Sequence, residues 1–145
     1  MISNKCYYAL KATLELSRRE GSGPVTIGEI ARAQEIPARF LEAILRQLKQ
    51  GGYAESMRGK DGGYILAKPS DEIRLGEIIR LFEGPLVPLA PANTTDQEMG
   101  RGKVFFELWE QAEQALAAVY DDITLAALRA RDDVLQQEIV NNYTI

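Results

Sequence analysis

The chain has 145 residues, 46% of them hydrophobic and 26% charged, with a net charge of −4 and no histidine. That length suits one domain, or one domain with an oligomerisation element, and the missing imidazole removes the usual general base and the commonest nitrogen metal ligand. The single cysteine, Cys6, allows no intramolecular disulfide and no thiolate set for zinc or an iron–sulfur cluster.

No run approaches the roughly 20 apolar residues that span a bilayer, and MISNKCYYALK is not a signal-peptide pattern. A cytoplasmic protein with no membrane partner is expected. Charge is uneven: residues 1–68 carry 11 Lys/Arg against 7 Asp/Glu, and residues 69–145 carry 6 against 14. A basic front and an acidic rear suit one face turned toward a polyanion, although uneven solvated surfaces would look the same.

Ser3 as N-cap predicts a helix over 4–19, with Tyr8, Leu10, Leu14 and Leu16 as its apolar positions. Gly21-Ser22-Gly23-Pro24 ends it. Thr26 and Glu29 have the spacing of a capping box, flanked by Val25 and Ile30 as a hydrophobic staple, so a short helix runs to about Gln34. After a turn at Glu35-Ile36-Pro37, a helix over 38–50 shows Phe40, Leu41, Ile44, Leu45 and Leu48 on one face. Gly51-Gly52 stops it. A short capped helix, a tight turn and a helix with a partly basic face form a helix-turn-helix signature.

Residues 53–58 alternate and read as a strand, which 64–67 can pair with across the glycine-rich loop 59–63. A hairpin in that position is a wing. Ser70 or Asp71 starts a further helix containing Leu75, Ile78, Ile79 and Phe82, stopped by Gly84-Pro85. Residues 85–102, with three prolines and two glycines, are expected to be a loop. The longest helix follows over 103–120, striped by Phe105, Leu108, Trp109, Ala112, Leu116 and Val119. Asp121-Asp122 ends it, and Thr124 caps a short helix, LAALRA. The segment 1–84 already has the apolar residues for its own core, so the stripe on 103–120 fits a second copy of the chain.

The order Ser3-x-Lys5-x-x-Tyr8-Ala9-Leu10, IPARFLEAILRQLKQGGY, MRGKDGGYILAKP, IRLGEIIRLFEGP and LW…ITLAAL resembles the Rrf-two family of bacterial winged helix-turn-helix transcription regulators. The resemblance implies a mainly α fold with a small β-hairpin wing. Its parts would be a DNA-binding domain over 1–84, a loop over 85–102, and a dimerisation helix and C-terminal helix over 103–145. It also implies a homodimer on a double-stranded DNA operator. Sensor members hold an iron–sulfur cluster on three cysteines in the loop. Here that loop has no Cys and no His, so no cofactor is expected. The chain looks more like the cluster-free branch that includes the cysteine-metabolism repressor, in which an effector protein or a small molecule supplies the signal. Cys6-Tyr7 also stands where members commonly have Gly and a basic residue.

On this resemblance Ala38, Arg39, Glu42 and Ala43 face the major groove, with Arg46, Gln47 and Lys49 further along meeting bases or phosphates. Arg donates twice to guanine and Glu accepts from a cytosine amino group. The wing would present Arg58, Gly59, Lys60, Gly62 and Gly63 to the minor groove. Ser3, Lys5, Tyr7, Thr26 and Gly28 would meet the DNA backbone. Cys6 is either a buried thiol or, near a helix N-terminus, one with a lowered pKa.

Two other classes compete with a repressor. A winged protein-interaction module that has lost specific DNA binding would suit the acidic rear. A nucleotide-binding enzyme would need a phosphate loop, but no glycine lies five residues before Gly59-Lys60 and no Ser/Thr follows the lysine. The chain is not expected to be an enzyme.

Overall fold

The computed structural model describes residues 2–87, 95 and 100–144. Helix α1 (Asn4–Arg18) starts at Ser3, whose hydroxyl accepts from the Cys6 amide at 3.1 Å. Helix α2 (Ile27–Gln34) opens on the reciprocal box: the Glu29 amide donates to the Thr26 hydroxyl at 3.2 Å, and the Thr26 amide donates to Glu29 Oε2 at 2.8 Å. Glu35 ends it in the left-handed conformation (φ 52°), and the buried Ile36 anchors the turn. Helix α3 (Ala38–Gln50) follows.

Leu41, Ile44, Leu45 and Leu48 of α3 pack with Ala9, Ala12 and Leu16 of α1 and Ile30 of α2. Each fully buried large aliphatic here contributes about 1.5–3 kcal/mol relative to leaving it exposed. Phe40, expected on this face, is instead 40% exposed. At 100° per residue it sits roughly 90° round α3 from the middle of the stripe, outside the arc that α1 covers.

The hairpin pairs β1 (Ala54–Met57) with β2 (Gly63–Leu66), Ala54 opposite Leu66 and Met57 opposite Gly63. Both strands differ from the expected bounds. Tyr53 closes α3 instead, its amide donating to the Leu48 carbonyl at 2.9 Å. Gly63 belongs to β2 rather than to the loop. Val25 adds a further rung, exchanging hydrogen bonds of 2.9 and 2.8 Å with Tyr64, so the wing is tied to the start of α2.

The helix expected from Ser70 or Asp71 begins later. Ser70–Glu72 make one 3-10 turn, Ile73 is extended and buried, and α4 covers Leu75–Glu83. Tertiary pairing overrides local preference: the Leu125 amide donates to the Ile73 carbonyl at 2.8 Å, and the Leu75 amide donates to Ile123 at 3.0 Å. Most of the expected loop 85–102 lies outside the described residues; at its end Gly100 and Arg101 are helical.

Helix α5 (Lys103–Tyr120) has the expected bounds, but it is not the longest. The expected short helix after Thr124 is α6 (Leu125–Tyr143), 19 residues against 18. No Gly or Pro interrupts it, and Arg129 Nη1 donates to the Ser17 carbonyl at 2.5 Å while Asp132 pairs with Arg18, holding it on α1. Leu125 joins the core of the winged unit, which is therefore not complete within 1–84.

Candidate nucleic-acid interface

Helix α3 turns Ala38, Arg39, Glu42, Ala43 and Arg46 outward, all exposed, opposite its buried leucines. Glu42 accepts from Arg46 Nη2 at 3.1 Å, one helical turn on, with both side chains largely in solvent. The Arg39 guanidinium lies 4.7 Å from the centroid of the Phe40 ring. Gln47 and Lys49 also bond to neighbouring elements. Gln47 is half-buried and donates to the Leu81 carbonyl at 3.0 Å, bracing α3 on α4, and Lys49 Nζ reaches the Ser56 hydroxyl at 2.7 Å, bracing α3 on β1. The structure thus leaves six of the seven recognition-helix residues exposed, with Gln47 alone half-buried.

At the wing tip Arg58 and Lys60 are exposed beside Gly59, whose φ of 117° favours glycine. Gly62 and Gly63 are needed for the hairpin itself. A Cβ on Gly62 would sit 2.5 Å from the Met57 carbonyl, and one on Gly63 would overlap the Val25 carbonyl, blocking the rung that ties wing to helix.

The expected backbone-contact residues are gathered at the starts of α1 and α2. Ser3 is engaged internally: its amide donates to Glu83 Oε1 at 2.7 Å, and its hydroxyl also bonds that carboxylate. These bonds hold the Glu83 carboxyl below its usual range, Ser3 hydroxyl first and amide second. Thr26 is engaged with Glu29, whose carboxyl the Thr26 amide likewise lowers. Both helix starts therefore already carry a carboxylate. Lys5 and Tyr7 are exposed, with Lys5 Nζ 5.9 Å from the Phe82 ring centroid and Lys11 Nζ 5.5 Å from that of Tyr7. Gly28 is exposed with ordinary room at its Cβ.

Cys6 is fully buried, and burial first, then the Glu83 charge, push its thiol up to about 11. The lowered-pKa expectation is therefore corrected: the helix start is shared with an anion, and the thiol stays protonated.

On α5, Phe105, Leu108 and Val119 are more than half exposed, Leu116 is 37% exposed, and Ala112 is exposed. Trp109 is half-buried, with its ring edge-on to Phe106 at 5.3 Å. Sequence reasoning missed Val134, Leu135, Ile139 and Val140 of α6, also exposed, because the last dozen residues were not assigned to a helix. It also missed the clasp of Arg80 on Asp121, two hydrogen bonds of 2.6 and 2.8 Å that lower the Asp121 carboxyl and join α4 to the end of α5. Gly76 permits it, since a Cβ there would overlap that carboxylate. The signal was present in Gly76 and Arg80 of the motif LGEIIR, which lie four apart on one helix face.

Among the described residues, no group of three or more His, Cys, Asp or Glu is placed to hold a metal, and no helix is long and apolar enough to cross a membrane.

The protein-family model described as "Rrf2: Iron-dependent Transcriptional regulator" matches residues 2–131. The chain is 34% identical over 136 residues to the HTH-type transcriptional regulator CymR of Bacillus subtilis, covering 94% of each. The solved structure of CymR, the global cysteine regulator of B. subtilis, superposes with a TM-score of 0.74 at 31% identity, over 90% of this chain and 97% of that one. T. potens IscR superposes with a TM-score of 0.75 at 30% identity, over 94% and 90%. Helix-turn-helix, wing and the likeness along nearly the whole chain agree: this protein belongs to the Rrf2 (Rrf-two) family of transcriptional regulators, not to a class of enzymes.

Proposed function

We propose that the chain is a homodimeric, sequence-specific repressor acting in the cytoplasm on a pseudo-palindromic duplex operator. The observation that carries this reading is the shared exposure of the α3 face and the wing tip, Arg39, Arg46, Arg58 and Lys60 among them, on a unit whose inner faces are fully packed. Arg39 and Glu42 near the start of α3 read base edges, while Arg58 and Lys60 engage the minor groove and its phosphates. The uncovered stripe of α5 supports a second copy, which would set two recognition helices about 34 Å apart.

The signal is one other than an iron–sulfur cluster, delivered by an effector protein or a small molecule. One buried thiol and no imidazole in the sequence support that part. The test is selection of duplex from a random pool by the purified protein, followed by affinity against salt. A two-fold symmetric motif is expected, with log affinity falling by roughly 0.9 per phosphate neutralised for each tenfold rise in salt. A protein that enriches no motif yet captures a stable protein partner would be an interaction module instead.

A further inference from the structure

Phe40 is out of place for a core residue and is well placed for something else. It projects from the first turn of α3 with 40% of its surface exposed. One face stacks on Tyr8 of α1, rings 5.8 Å apart at 23°, and Tyr8 itself packs against the buried core. The Arg39 guanidinium lies 4.7 Å from the Phe40 centroid. Core, Tyr8, Phe40 and Arg39 thus form one stack that ends in a cation on the open face of α3.

The cations on α3 are held in different ways. Arg46 has a donor engaged by Glu42, and Lys49 is bonded to Ser56. Arg39 is held over the Phe40 ring, and no hydrogen bond or ion pair to a described residue engages its N–H groups. A guanidinium that rests on a ring without hydrogen-bonding to the protein keeps its five N–H donors, and so its hydrogen-bonding edge, for another partner, and the ring limits the rotamers it would otherwise lose on binding. Bidentate reading of guanine needs that free, oriented edge.

We infer that Phe40, seated on Tyr8, is a positioning residue that presents Arg39 for base reading and so sets the preference at one base pair of each half-site. This rests on the DNA-binding reading above. It assigns no contact with DNA to Phe40.

The test uses the full-length protein and the duplex selected by the wild type, with a series of duplexes changed one base pair at a time. Arg39→Ala should relax preference at a single half-site position by about tenfold. Phe40→Leu should relax preference at that same position by about two- to fivefold and leave the others unchanged, while Phe40→Tyr restores it. Phe40→Leu added to Arg39→Ala should cause no further relaxation. Thermal melting of each variant separates this from a folding defect, since partial unfolding weakens binding to every duplex alike. The inference is overturned if Phe40→Leu lowers affinity uniformly while the preference at the Arg39 position persists, or if the two substitutions add independently. A wild type that selects no motif would overturn it together with the proposed function, whereas a clean motif with an unchanged Phe40→Leu profile overturns this inference alone.

Discussion

The winged unit and the C-terminal helix pair treat their apolar side chains in opposite ways. On α3 the inner residues Leu41, Ile44, Leu45 and Leu48 are at most 1% exposed, and what faces outward is mainly charged or small. On α5 no residue is buried, and Phe105, Leu108 and Val119 stand more than half exposed. The first region is finished by its own chain, so its open face is free to meet a polyanion. The second offers water a row of aromatic and aliphatic groups, which marks it as unfinished. Helix α6 joins the two conditions, with Leu125 sealed in the core at one end and Ile139 and Val140 uncovered toward the other.

The hardest test of that contrast is a charge in the α5 stripe. Leu108→Glu should convert a dimer to a monomer in sedimentation or light scattering. Two leucines lose about 1.5–3 kcal/mol each of burial, and two carboxylates would have to be desolvated in a re-formed interface. Operator affinity should fall by at least about 100-fold, because a monomer holds one half-site. The melting of the winged unit should change little. A Leu108→Glu protein that stays dimeric, with wild-type affinity, would break the comparison.

Within the finished region the glycines of the hairpin sharpen it. Gly63→Ala sets a methyl against the Val25 carbonyl, where neither backbone segment can yield, and should cost on the order of 2–4 kcal/mol in urea unfolding. Gly59→Ala has open space around its Cβ and only an unfavourable φ of 117° to overcome, so about 1–2 kcal/mol is expected. Equal costs at the two sites would mean that the Val25–Tyr64 rung contributes nothing.

The tip cations are a lesser case, with an effect on binding alone. Arg58→Ala with Lys60→Ala should weaken operator binding by about tenfold and reduce the magnitude of the salt slope by about 1 for each residue, leaving the unfolding free energy within about 0.5 kcal/mol of the wild type. Unchanged affinity would remove the wing from the interface.

How far these regions could be read from the sequence follows the range of the forces involved. The capping box at Thr26 and Glu29, the bounds of α3 and the start of α6 at Thr124 are set by neighbours within a turn, and all were legible. The late start of α4 was not, because Ile73 is drawn into extended pairing with residues some 50 positions away, near Leu125. Phe40 fits an i, i+4 apolar pattern with Ile44, and its position at the edge of the buried arc depends on where α1 lies across α3. In the site, sequence position gave the exposed face of α3, but not that Gln47 and Lys49 are tied to Leu81 and Ser56. A polar side chain on a helix is equally consistent with solvent, a base or a neighbouring carbonyl until the neighbour is placed.

The smallest expected effect concerns the seam where α1 meets the end of α4. Cys6 lies there, fully buried, with its thiol raised from the usual 9.0 to about 11 by burial and by the Glu83 charge. A folded pKa above the unfolded one means that the neutral thiol is favoured by folding. Its contribution is therefore fully present below about pH 9 and is lost as pH rises toward 11. By pH 10 the loss is on the order of 1 kcal/mol. Urea midpoints followed from pH 8 to 10 should fall more steeply for the wild type than for Cys6→Ala, which has no thiol to ionise. Below pH 9 the native thiol should resist a disulfide reagent and react only at the rate of opening, since a protonated, enclosed sulfur is a poor nucleophile. Identical pH slopes in the two proteins, together with rapid labelling of the folded wild type, would show that this end of the finished region is open to solvent after all.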